Sequence, residues 1–200
     1  LESCVESLQQ AQTAIKNGVN RLELCSHLEL AGLTPSIELM KSIKNLNFPT
    51  HILIRPRDSF TIQNDDLALI INQILVVKQM NFQGVVFGYL TQTNELDIEA
   101  LKTILQHCNG LTKVFHMAFD FIEDKSSAIK NLSSLGFDFI LTKGGHGTAI
   151  DNLECLKQLI HDSNIQIIVG GKVTFENLQI VSQCGAKWFH GQKIVNMRLE

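Results

Sequence analysis

The stretch Leu135-Gly-Phe-Asp-Phe-Ile-Leu-Thr-Lys-Gly-Gly145 decides how this chain folds, because it joins the end of one structural element to the start of the next. Its first glycine follows a helical segment, where the left-handed backbone that ends a helix suits glycine best. A short apolar run follows at once, which is typical of a buried strand. The same joint recurs at Asn17-Gly18 and Cys184-Gly185, so helix and strand alternate along the chain.

Short β-branched and aromatic runs recur at intervals of about 25 residues. The eight predicted strands cover residues 1–4, 21–25, 51–55, 84–87, 113–116, 138–142, 166–169 and 187–190. Segments with helical spacing of apolar residues separate them, most clearly at 67–77. Alternating strands and helices imply a parallel sheet, and eight strands favour its closure. The sequence therefore predicts an α/β fold, a TIM-like (β/α)₈ parallel barrel, as a single domain over residues 1–200.

Local signals refine this prediction. The segment Val5-Glu-Ser-Leu8 after the first strand lacks the glycine-rich phosphate loop that an open dinucleotide-binding sheet carries there. Only about ten residues follow His190, so we expect the last helix of the barrel to be short or missing. Capping residues predict helix starts at Thr34-Pro35, at Asn64-Asp65-Asp66 and at Thr174.

Composition and charge exclude several classes of partner. The formal net charge is −3, and the 17 Lys and Arg residues form no run, so nucleic acid and anionic membranes are not expected partners. No apolar stretch approaches the roughly 20 residues that cross a bilayer, and no secretory signal pattern opens the chain. We expect a soluble protein that lacks a few residues at its start, since it begins at Leu1 without Met.

The cysteines favour a reducing compartment. Five is an odd number, and they are spread along the chain without a C-x-x-C pair, which argues against a disulfide framework or a zinc knuckle. A cytoplasmic protein is therefore expected.

Charged residues on the predicted strands give the strongest functional signal. A barrel interior is normally filled with Val, Ile and Leu, so an ionisable side chain there is costly unless it is paired or functional. The candidate pocket residues are Glu2, Glu23, Arg55, His116 and Asp120, with Thr142 and His190 at comparable heights. Converging on one mouth, they would hold an anionic or polyhydroxylated small molecule. The alternative is an ion network with a purely structural role.

Glycines after the last three strands give a second signal. Gly144, Gly170, Gly171 and Gly191 free backbone N–H groups near the loops where such barrels often bind phosphate. They are candidates for an anion or phosphate site. Tight turns between strands and helices are the alternative explanation.

Two cysteines occupy equivalent points on neighbouring strands. Cys4 ends the first predicted strand and Cys25 the second, so one metal ion could contact both sulfurs. Soft thiolates suit Cu(I). The alternative is that both are small buried hydrophobic residues.

Five short motifs, in this order and at these intervals, resemble the CutC family. They are Arg21-Leu-Glu-Leu-Cys25, Gly32-Leu-Thr-Pro-Ser36, Ile54-Arg-Pro-Arg57, Phe115-His-Met-Ala-Phe-Asp120 and Ile140-Leu-Thr-Lys-Gly144. The resemblance covers nearly the whole chain. It implies a cytoplasmic TIM-barrel-like protein that binds copper or acts in copper homeostasis and associates into homodimers or larger homo-oligomers.

Residue by residue, the resemblance matches the five candidate pocket residues to the polar mouth of the family and Cys25 to the cysteine that ends its second strand. Three positions depart from the family pattern. Ala31 replaces the first glycine of Gly-Gly-Leu-Thr-Pro, Met117 replaces an arginine, and Lys143 stands where serine is common. Loss of that arginine removes a fixed positive charge beside the pocket.

Three functions follow from these observations. The first is a CutC-type cytoplasmic protein that binds Cu(I), through Cys4 and Cys25, in copper homeostasis. The alternative is an enzyme for a small anionic metabolite, with His116 or a glutamate as general acid or base and Arg55 as the anion clamp. A non-catalytic assembly module is a third, weaker hypothesis, favoured only if the mouth is plugged by its own side chains.

Overall fold

A computed structural model describes residues 1–63 and 65–196, in which eight parallel strands close into a barrel in sequence order. The predicted TIM-like barrel is confirmed. Each strand has four residues. They are β1 Glu2–Val5, β2 Arg21–Leu24, β3 Thr50–Leu53, β4 Gly84–Phe87, β5 Thr112–Phe115, β6 Phe139–Thr142, β7 Gln166–Val169 and β8 Trp188–Gly191.

Helices connect the strands on the outside of the barrel. They are α1 Leu8–Lys16, α2 Ile37–Lys44, α3 Asp66–Gln79, α4 Ile98–Leu105, α5 Lys125–Ser134, α6 Leu153–Asp162 and α7 Leu178–Val181. Through residue 196 no helix follows β8, as expected for a last helix that is short or missing, and 197–200 lie outside the described residues. In the described parts of the chain, no helix combines the length and apolarity needed to cross a membrane.

The glycine joints form as predicted, and α3 begins at Asp66, within its predicted start, whereas the other two helix starts differ. Gly136 has a φ of +83° at the end of α5, and β6 follows shortly after. The cap expected at Thr34 is wrong, because Ser36 caps α2 by accepting from the Leu39 N–H at 3.2 Å. Helix α7 begins after Asn177, beyond the predicted start at Thr174. The predicted cap at Asn64 lies outside the described residues.

Strand alternation divides the buried residues into two sets. One set packs between the barrel and its helices, as Leu22 and Leu24 of β2 do. The other set fills the inside of the barrel and includes Leu53, Val86 and Ile168. Four neighbouring strands, β8, β1, β2 and β3, break this apolar lining with polar side chains, which locates the candidate site.

Candidate functional site

Glu2 is the centre of a polar group inside the barrel, and both of its carboxylate oxygens are paired. One oxygen of its carboxylate accepts from Arg21 Nε, and the other accepts from His190 Nδ1 at 2.9 Å. Arg21 in turn packs over the rings of Trp188 and Phe139, at 4.2 and 5.0 Å from their centroids. Burial alone would raise the pKa of Glu2, but the hydrogen bond and charge of His190 and the charge of Arg21 lower it to about 2. Glu2 is therefore an ionised carboxylate held by two partners.

Glu23 lies beside this group but is only partly paired. β-strand register places Glu23 opposite Cys4, and its Oε1 lies 3.9 Å from Cys4 Sγ. Its Oε2 lies 3.9 Å from His190 Nδ1, is buried, and has no hydrogen-bond partner among the described residues. Burial raises the pKa of Glu23 to about 7, reinforced by the nearby charge of Glu2 and opposed by His190.

Cys4 and Cys25 meet next to Glu23. Their sulfur atoms are 3.4 Å apart, and Cys25 Sγ also donates to the Val5 carbonyl at 3.5 Å. Cys25 is fully buried, whereas Cys4 is 7% exposed. The hydrogen bond with Cys25, followed by burial, raises the pKa of the Cys4 thiol above its usual value. Both cysteines are free thiols in the reduced state.

A cavity of about 720 Å³ reaches these groups from the barrel mouth. Cys4, Glu23 and His190 contribute to its lining, together with apolar side chains such as Leu53 and Met117. The thiol and carboxyl groups are thus buried among protein atoms yet adjacent to space that a ligand or ion can enter.

His116 faces the same cavity from the opposite side of the barrel. Its Nδ1 accepts a hydrogen bond from the Ala118 N–H at 3.2 Å, so Nε2 carries the proton of the neutral ring. That Nε2 is buried without a partner among the described residues. Burial, aided by the charge of Arg55, lowers the pKa of His116 to about 3. His116 is a neutral hydrogen-bond donor, not a ready proton acceptor at Nε2.

The guanidinium of Arg55 holds a loop in place through hydrogen bonds. Strand β3 ends at Leu53, so Arg55 lies past it, and its Nη1 donates to the Leu30 and Gly32 carbonyls, each at 2.8 Å. Its Nη2 donates to Asp58 Oδ1 at 2.5 Å. Both terminal nitrogens are therefore occupied, and only Nε is left unpaired.

The five predicted pocket residues separate into two groups. Glu23, Arg55 and His116 line the cavity. Glu2 is paired within the barrel as described. Asp120, in the segment after β5, binds the end of β6 by accepting from Thr142 Oγ1 at 2.5 Å and from the Lys143 N–H at 3.2 Å. The expectation that all five converge on one mouth is corrected in this respect: Glu2 and Asp120 already have their partners elsewhere in the protein.

Two buried residues were missed by the sequence reasoning. Arg21 pairs with Glu2, and His51 Nδ1 lies 3.9 Å from Glu2 Oε2. The sequence contains a signal for Arg21. It lies two residues before Glu23 on the same strand, so the alternation of side chains puts both inside the barrel. His51 is only 2% exposed.

The glycines expected to bind an anion are largely explained by packing. The Gly144 N–H donates to Thr142 Oγ1 and the Gly170 N–H to the Thr142 carbonyl, each at 2.9 Å. Those two donors are not free for phosphate. Gly171 and Gly191 do line the cavity, but a Cβ on Gly191 would collide with the Val173 carbonyl, which requires glycine for packing alone.

Comparison with known proteins gives one consistent result. A family model described as the CutC family matches residues 1–195. The human copper homeostasis protein cutC homolog is 35% identical over 195 residues, which are 95% of this chain and 71% of the human one. A CutC family protein of Photobacterium profundum is 34% identical, covering 95% of this chain and 80% of its own.

The fold agrees with that result. The crystal structure of a CutC protein from Streptococcus agalactiae superposes with a TM-score of 0.92 at 35% identity, covering 97% of this chain and 98% of the other.

Proposed function

The chain belongs to the CutC family, and from that membership we propose that it binds Cu(I) inside the barrel through Cys4 and Cys25 and so takes part in copper homeostasis. The observation that carries this proposal is the pair of sulfur atoms 3.4 Å apart, one of which belongs to Cys4 in the lining of the cavity. Soft thiolate ligands favour Cu(I) over hard cations. The human relative bears the name of a copper homeostasis protein.

The surroundings of the two thiols suit a metal more than general thiol reactivity. Burial and the neighbouring thiol keep Cys4 protonated, so it is a poor nucleophile without an ion. A bound cation displaces those protons and offsets the cost of two thiolates in a low-dielectric site. Met117, where the family commonly has arginine, lines the cavity without adding a positive charge that would repel the ion.

An anaerobic Cu(I) titration against a chromophoric competitor tests the proposal. We expect one tightly bound Cu(I) per chain, with affinity reduced at least about 100-fold in Cys4→Ser/Cys25→Ser, because both soft ligands are lost. Cys155→Ser is the matched control, since Cys155 is an exposed free thiol on α6. Unchanged affinity in the double variant would reject the Cys4–Cys25 site.

The two other functions have weaker support. An enzyme with Arg55 as its anion clamp requires guanidinium donors that are already bonded to Leu30, Gly32 and Asp58. An assembly module with a plugged mouth does not fit a cavity of about 720 Å³. Metabolite-library thermal shifts that give a hit lost in His116→Ala would revive the enzyme hypothesis.

The setting we propose is cytoplasmic. All five cysteines are free thiols, which suits a reducing compartment. Self-association into a homodimer or larger homo-oligomer stays a prediction, and sedimentation of the purified chain with and without copper is its test.

A further inference from the structure

We propose that Cys4, Glu23 and His190 form a second ligand set, for a borderline divalent cation such as Zn(II), next to the two-cysteine site. The proposal goes beyond Cu(I) binding and shares only Cys4 with it. It concerns a mixed sulfur, oxygen and nitrogen donor set on the three neighbouring strands β1, β2 and β8.

The spacing of the donors suits one ion. One ligand atom from each of the three side chains lies within 4.8 Å of the others, and all three residues are buried. The Cys4 Sγ–Glu23 Oε1 distance is 3.9 Å. Ligands of tetrahedral zinc lie at about 2.0–2.3 Å from the ion, so two of them are about 3.3–3.8 Å apart. Small side-chain movements bring the three donors into range.

An unpaired oxygen is the independent observation that points to a cation. Glu23 is 4% exposed, and its Oε2 has no hydrogen-bond partner in the described parts of the chain. Buried carboxylate oxygens normally have a partner, because desolvating one without compensation is costly. If the carboxyl were simply protonated, its O–H would still need an acceptor. A cation at this position satisfies the oxygen directly.

The surroundings of His190 match a metal-binding histidine. Its Nδ1 donates to Glu2, so in the neutral ring the lone pair lies on Nε2, where an ion can bind it. Histidine ligands of metals commonly give their other N–H to a carboxylate, which fixes the ring and strengthens the ligand. Arg21 binds the second oxygen of Glu2 and keeps that carboxylate in place. Glu2 and Arg21 are thus positioning residues for His190.

The donor set also indicates the class of ion. One thiolate, one imidazole and one carboxylate suit zinc and similar borderline ions, whereas calcium and magnesium prefer oxygen alone. Three protein ligands leave a fourth position, and all three residues line the cavity. Zinc sites with three protein ligands and one exchangeable position are those that activate water or bind a substrate.

Cobalt(II) titration of the reduced, tag-free protein tests the proposal, because Co(II) substitutes for zinc and reports its ligands by colour. We expect a thiolate-to-cobalt charge-transfer band and strong visible bands that Zn(II) abolishes by displacement. Both should disappear in Cys4→Ser and in Glu23→Gln, and both should persist in Cys25→Ser. Glu2→Gln should bind about 10–100-fold more weakly, as expected for loss of a carboxylate that orients a ligand.

Control variants separate this site from others. His161→Ala removes an exposed histidine beside Asp162 and should leave the bands unchanged. Circular dichroism identifies any variant that fails to fold. In that case the isosteric Glu23→Gln shows whether the Glu23 carboxylate is a ligand. No band in the wild type, or a band that persists in Glu23→Gln, overturns the proposal.

The Cu(I) titration distinguishes failure of the second ligand set from failure of the proposed Cu(I) function. Glu23→Gln should retain Cu(I) and lose Co(II), whereas Cys25→Ser should lose tight Cu(I) and retain Co(II). Loss of both ions in both variants would mean one shared site and would overturn the second ligand set.

Discussion

Glu2 and Glu23 are the same residue type on the inside of adjacent strands, yet their surroundings differ completely. Both oxygens of Glu2 are bonded, one to Arg21 and one to His190. Glu23 has an oxygen with no partner, beside two thiols and a cavity. A buried charge in a barrel is therefore not functional by itself. Paired carboxylates support the structure, and unpaired ones facing space are available to ligands.

The largest effect should come from breaking the Glu2 group. Arg21→Met leaves the Glu2 carboxylate buried with only His190, and removing one partner of a buried ion pair typically costs about 3–5 kcal/mol. We expect a loss of that size in the free energy of unfolding by urea denaturation. Adding Glu2→Gln to Arg21→Met should recover part of the loss, because the orphaned charge is removed. Independent, additive effects of the two changes would contradict this account of Glu2.

A medium-sized loss of stability should appear as the pH falls, because His116 at the barrel mouth is buried as a neutral ring. The pKa of His116 is about 3 in the folded protein, against 6.5 for a free histidine. Below pH 6.5 the unfolded chain takes up this proton and the folded protein does not, so stability falls as the pH falls toward 3. At about 1.4 kcal/mol per pH unit, His116 accounts for about 2 kcal/mol of lost stability at pH 5.

Urea denaturation at pH 7 and pH 5 measures this contribution. His116→Gln should lose less stability between the two pH values than the wild type does. The matched control is His161→Gln, which changes an exposed histidine and should keep the wild-type slope. Equal slopes in all three proteins would show that His116 is protonated in the folded state, contrary to its buried, neutral geometry.

The sequence could predict the barrel because the signals for it are local. Glycines such as Gly136 end helices by their own backbone preference, and strand alternation alone puts Cys4 and Glu23 inside. The pairing of buried charged side chains, in contrast, depends on residues far apart in the sequence. Glu2 meets His190 only when β1 closes against β8, 188 residues away in sequence.

Arg55 shows the same limit of sequence-based prediction for residues that lie closer together in the chain. The predicted strand 51–55 included Arg55, whereas β3 ends at Leu53, and the turn of its guanidinium toward the Leu30 and Gly32 carbonyls depends on how that loop packs. Residue type and parity therefore identify which side chains enter the interior. They do not identify which of them are already satisfied, and that decides between Glu2 and Glu23.

The smallest change in stability should come from Glu23→Gln, and this variant tests most directly whether Glu2 and Glu23 differ. In metal-free protein held with a chelator, this variant should keep the wild-type free energy of unfolding or gain up to about 1 kcal/mol, since it removes the charge of a buried carboxyl group that is only partly paired. Glu2→Gln should instead destabilise, because it weakens two bonds. Added Zn(II) should then raise the stability of the wild type and not of Glu23→Gln, because a ligand stabilises only the state that binds it. A large loss in chelated Glu23→Gln would make both glutamates structural, and the contrast between them would disappear.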